Sequence, residues 1–156
     1  MANSVCEVLI TESPVDLPPR THDAAAGAIV DFWGAVRLLE DGREIAGIEY
    51  EAHATMAEHQ MRKLGEAALG RFGLTKVIIH HRVGFVPVRE PSIVVRVESP
   101  HRSAAFKASQ WIMDELKRTV PIWKRPVFKK EKGESAADAK TGKQAQRGLH
   151  SSSTRR

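Results

Sequence analysis

The sequence predicts a single α+β domain. Short runs of β-branched and apolar residues recur along the chain, and two longer segments repeat their apolar residues at helical spacing. After Phe128 nothing large and apolar remains except Leu149. A chain of 156 residues with 42% apolar side chains suits one core of ordinary size, so the domain is assigned to 1–128 and a tail to 129–156.

Val5 to Ile10 reads as a first strand. Pro14, Pro18 and Pro19 break the chain before the small residues Ala24 to Gly27. Ala28 to Trp33 reads as the next strand, and Ile45 to Glu51 alternates with period two. Between them, Asp41-Gly42 supplies the positive φ angles of a tight turn, which predicts a hairpin of these two strands.

Thr55-Met56-Ala57-Glu58 has the form of a capping box. Ala57, Met61, Leu64, Ala68 and Phe72 follow at helical spacing, and Gly73 stops the helix. Val77 to Ile79 and Ile93 to Val97 are buried-type strands. A second helix is predicted from Pro100 to Thr119, with Ser99 as cap, Pro100 in the first position, and Pro121 closing it.

Charge is unevenly distributed. Residues 1–128 carry 16 Lys and Arg against 16 Asp and Glu, whereas 129–156 carry 8 against 3, so the net +5 belongs to the tail. A neutral domain argues against a basic nucleic-acid binder. The tail, rich in Gly, Ala, Ser and Lys, is expected to be mostly disordered over 133–156. No apolar run is long enough to cross a membrane, and Met1 to Thr11 lacks the form of a secretory signal. A single cysteine, Cys6, fits a small core residue and a reducing compartment, so the cytoplasm is expected. His80 and His81 point to opposite faces of a strand and cannot share an ion; no metal and no cofactor are expected.

Two stretches could carry chemistry. Ser99-Pro100-His101-Arg102 opens a helix, where free amides, a guanidinium and an imidazole can hold an anion. The same residues also fit a plain helix start in which Arg102 pairs with a nearby carboxylate. Lys117 and Lys124 bracket the turn Pro121-Ile122-Trp123, where Trp123 can shield a lysine from water and make it an acid, base or nucleophile. Two solvated lysines near a helix C-terminus fit that pattern as well. Arg37 ends the strand Ala28–Val36, directly after Phe32-Trp33-Gly34-Ala35-Val36.

In order along the chain, Gly27-Ala28-Ile29-Val30, Phe32-Trp33-Gly34-Ala35-Val36-Arg37, Glu49-Tyr50-Glu51, His81-Arg82-Val83-Gly84, Pro100-His101-Arg102 and Pro121-Ile122-Trp123-Lys124 resemble the large, catalytic subunit of molybdopterin synthases. The match covers about residue 4 to Phe128. The resemblance implies an α/β-hammerhead-type fold, a homodimer, and a small ubiquitin-like subunit on each protomer, making a heterotetramer. The partner's thiocarboxylated C-terminus would supply two sulfur atoms that convert cyclic pyranopterin monophosphate to molybdopterin, a sulfurtransferase step of molybdenum cofactor biosynthesis. Lys117 and Lys124 match the family's active-site lysines. Arg37, His101 and Arg102 match its phosphate-binding residues, and Arg125, next to Lys124, is expected to bind substrate with them. The family usually places Glu where this chain has Pro126, which removes a carboxylate and an amide donor.

The competing reading from another class is a non-catalytic binding module of the same fold, whose tail contacts an acidic partner or nucleic acid. Helix geometry adds one constraint to the catalytic reading. At 1.5 Å per residue, His101 and Lys117 lie roughly 24 Å apart on one helix. That is too far for one small substrate, so a site shared between antiparallel helices of two protomers is predicted.

Overall fold

The computed structural model describes residues 4–21, 23–130 and 154–155. The element order is β1 (Val5–Thr11), β2 (Ala28–Ala35), β3 (Leu39–Glu40), β4 (Arg43–Ala52), α1 (Ala54–Phe72), β5 (Lys76–Arg82), β6 (Gly84–Pro87), β7 (Pro91–Ser99), α2 (Arg102–Thr119), β8 (Ile122–Phe128) and β9 (Thr154–Arg155). This is the α+β arrangement expected.

One sheet runs β1-β5-β7-β2, with β1 and β5 parallel and the other neighbours antiparallel. Both helices cover one face of it. Ala57, Met61, Leu64 and Ala68 from α1 and Ala105, Ala108, Ile112 and Leu116 from α2 meet Val77, Ile79, Val95 and Val97 in one buried core. Cys6 packs at the margin of that core, where burial raises its thiol pKa. The opposite face carries charge. Arg96 donates to Asp31 through Nε and Nη2, and its Nη1 donates to the Pro18 carbonyl, so the proline-marked segment is strapped across the sheet.

The second sheet centres on β4, which pairs with β3, β6 and β8. Asp41 (φ 50°) and Gly42 (φ 73°) form the expected tight turn. The hairpin it makes joins β3 to β4, however, not the two strands expected to pair. β2 instead pairs with β7, each residue from Ala28 to Gly34 finding its partner between Ile93 and Ser99. The apolar residues of β2 are satisfied by a partner some sixty positions away, which a local turn signal cannot report.

Both helix starts also differ from expectation. His53 is the N-cap of α1, its Nδ1 accepting from the Met56 amide at 3.2 Å, so Thr55 lies inside the first turn. His101 occupies the cap position of α2, and Ser99 closes β7 while its hydroxyl accepts from the His101 amide. Pro121-Ile122-Trp123-Lys124-Arg125 is not a turn: from Ile122 it is strand β8, the outer neighbour of β4. The tail expectation lies mostly outside the described residues. Within them, Lys129 pairs with Glu44, and Thr154–Arg155 lie antiparallel to Trp123–Lys124 as a short added strand.

Candidate active site

The strand parity of β8 decides which of its cations can act together. Lys124 lies in register with Tyr50 on β4, which lies in register with Gly84 on β6. These three share one face of the sheet, along with Ile48, Ala52, Val86, Ile122 and Pro126. Trp123 and Arg125 point to the other face, beside Glu51 and Glu49. Trp123 and Lys124 therefore face opposite sides of the strand, and Arg125 does not share the face of Lys124.

Lys124 is half-buried, whereas Lys117, Arg37, His101, Arg102 and Arg125 are exposed. Pro126 shares the face of Lys124 two residues on, so a side chain at that position stands beside the lysine.

Lys117 lies in the last turn of α2, just before the connection into β8, so the fold sets both lysines at one end of this helix. His101 and Arg102 lie at the other end, where α2 leaves β7. Gly27 amide donation to the Ser99 carbonyl at 3.0 Å ties that end to the start of β2. Arg37 follows the far end of β2, so within one protomer it too is remote from His101 and Arg102. The structure thus brings Lys117 and Lys124 to one region and His101 and Arg102 to another.

Along α2, Arg102, Phe106, Gln110, Met113 and Lys117 fall within one stripe, at 100° per residue. It is offset from the buried stripe Ala105, Ala108, Ser109, Ile112 and Leu116. Phe106 on it is 64% exposed.

Tyr50, in register with Lys124, and His81, which packs on Tyr50, were not among the predicted site residues. His81 is fully buried and meets the Tyr50 ring edge-on, centroids 5.3 Å apart. Their signal was present, since both lie in motifs that carry the resemblance. Among the described residues no group of three or more His, Cys, Asp or Glu side chains is arranged to hold a metal ion. Among the same residues no helix is long and apolar enough to cross a membrane.

Fold and site together define an α+β domain that presents separated basic clusters at the two ends of one exposed helix. Residues 10–119 match the family model described as MoaE protein, and the chain belongs to that family. It is 39% identical over 134 residues to the molybdopterin synthase catalytic subunit of Thermoplasma volcanium, covering 85% of this chain and 98% of that one. Identity to the Culex quinquefasciatus protein of the same name is 42% over 110 residues, 70% of each chain. The crystal structure of molybdopterin synthase from Staphylococcus aureus superposes with a TM-score of 0.70 at 28% identity, covering 78% of this chain and 91% of that one.

Proposed function

We propose that this chain is the catalytic subunit of a molybdopterin synthase acting in the cytoplasm. In this reading it converts cyclic pyranopterin monophosphate to molybdopterin with sulfur from the thiocarboxylated C-terminus of a small ubiquitin-like subunit. Residues 1–128 do the chemistry, and 129–156 are dispensable for it. Lys124 holds the acyl terminus, a role for which a half-buried ammonium on a strand is suited, because a charge pair gains strength away from bulk water. Lys117 serves as acid, base or transient nucleophile. Arg37, His101 and Arg102 take the substrate phosphate, and Arg125, on the far face of β8, contributes only through a longer-range field.

The observation that carries this reading is the exposed stripe of α2. Arg102 and Lys117 share it and lie 15 positions apart, about 22 Å along the axis. Two copies of α2 packed antiparallel around the middle of that stripe bring Arg102 of one protomer opposite Lys117 of the other. The exposed Phe106 would be covered in the same contact. Each site then draws its lysines from one protomer and His101 and Arg102 from the other. Arg37, remote from those two within its own chain, is supplied by the protomer that gives the lysines.

Subunit mixing tests it. Lys117→Ala and Arg102→Ala proteins, each inactive alone with thiocarboxylated partner and precursor, should regain dithiolene formation after exchange, because a mixed dimer holds one intact site. Verified exchange without recovery would refute the shared site, and normal activity of Lys117→Ala and Lys124→Ala would refute the lysine assignment.

A further inference from the structure

Two of the motifs that mark the family, Glu49-Tyr50-Glu51 and His81-Arg82-Val83-Gly84, have no role in the site as assembled from cations. The fold brings them together at Lys124. Tyr50 is 3% exposed and stands in register between Gly84 on β6 and Lys124 on β8.

Polarity singles out the same pair. The face shared by β6, β4 and β8 carries Gly84 and Val86, then Ile48, Tyr50 and Ala52, then Ile122, Lys124 and Pro126. Among these described residues, the Tyr50 hydroxyl and the Lys124 ammonium are the polar side-chain groups. Cross-strand partners in register have Cβ atoms about 5 Å apart, within reach of a long side chain. Tyr50 is held from below. The His81 ring packs edge-on against it, and His81 is fixed by its Nδ1–H donating to the Arg82 carbonyl at 2.7 Å, since a carbonyl oxygen only accepts.

We infer that Tyr50, locked in orientation by His81, is the positioning residue for Lys124: its ring and hydroxyl fix the path of the lysine stem and the direction of its ammonium. A lysine carries four rotatable bonds, and a fixed neighbour removes much of the search for the reactive geometry. Tyr50 touches neither substrate in this scheme and acts through Lys124. The inference deepens the proposed function and rests on it for its kinetic arm, while a spectroscopic arm stands apart from activity.

In the kinetic arm, Tyr50→Phe in the full chain keeps the ring and lowers kcat about tenfold, while KM for precursor and for partner stays within about twofold. Unchanged kcat, or a raised KM at unchanged kcat, would overturn the inference. His81→Gln, which keeps the Tyr50 hydroxyl but frees its ring, lowers kcat less, and in the Tyr50→Phe background it costs less than it does alone. Additive losses would remove His81 from the account.

The spectroscopic arm uses the fact that Tyr50 is the one tyrosine of the sequence. Biosynthetic 3-fluorotyrosine therefore places a single fluorine NMR reporter there. Lys124→Ala should shift that resonance and Lys117→Ala should leave it in place; no shift with Lys124→Ala would refute the contact. A wild-type chain that makes no dithiolene would sink the proposed function while this second arm still decides on Tyr50.

Discussion

Gly27 lies against Pro100. The Gly27 amide donates to the Ser99 carbonyl at 3.0 Å, and a Cβ at Gly27 would run into the Pro100 carbonyl oxygen, a backbone atom with little freedom to withdraw. The glycine is thus required by the close approach of two backbones at the point where β7 hands the chain to α2. Gly27→Ala should push Pro100 and the His101–Arg102 start outward. The expected cost is about 1–3 kcal/mol in urea unfolding, with weaker binding of the precursor phosphate than of a phosphate-free pterin control. Equal affinity loss for both ligands would place the effect elsewhere.

The Arg96–Asp31 pair makes stability depend on acid. Arg96 is 6% exposed, and its bonds to Asp31 hold that carboxyl below the ordinary carboxylate range. A group with a depressed folded pKa contributes stability that is complete above its unfolded value, near 3.9, and is lost as pH falls through the folded value. Wild-type chain should therefore lose stability below about pH 4, beyond what ordinary carboxylates account for. Asp31→Asn should lose on the order of 3 kcal/mol at pH 7, because Arg96 keeps its charge without its partner, and should lack that acid component. Parallel unfolding curves for the two proteins between pH 7 and pH 3 would contradict it.

His53 caps α1 with a ring nitrogen that must accept, so it caps only when neutral. His53→Ala should cost about 1 kcal/mol at pH 8, and His53→Asp should restore most of it. Thermal melts of the three proteins measure this directly.

Pro126 shares the face of Lys124. A carboxylate there would stand about 7 Å along the strand from the lysine, near enough to pair with it or to orient it. Pro126→Glu should raise kcat for dithiolene formation about fivefold, roughly 1 kcal/mol of transition-state stabilisation. A drop in kcat would show that this chain has adapted its strand to the proline.

The sequence revealed elements whose signals are local and missed relations that are not. Asp41-Gly42 and the apolar spacing of both helices were legible, because turn angles and helical faces are set within a few residues. The pairing of β2 with β7 was not, since β-branched residues declare a strand but not its neighbour. β8 was hidden by its own composition: Pro121 read as the end of the second helix, and Pro121-Ile122-Trp123 read as a turn bracketed by two lysines. Pro126 fits there because beyond Lys124 no described strand covers the outer edge of β8. The proposed site residues each lie in a motif that the sequence displays. That Lys124 and Arg125 face opposite ways follows only once the strand is known, and Tyr50 joins the site only through register.

The pairing of Tyr50 with Lys124 spans nearly half the chain, and β8 completes its sheet from the carboxyl end of the domain. Neither α1 nor α2 depends on that distant contact to begin forming, whereas the lysine row has no local precursor at all. Refolding should therefore regain helical circular dichroism before it regains dithiolene formation, with the Tyr50–Lys124 row among the last parts of the molecule to assemble. A nascent chain paused before Ile122 would expose one long edge of β4 and would be prone to intermolecular strand exchange until the missing strand emerged.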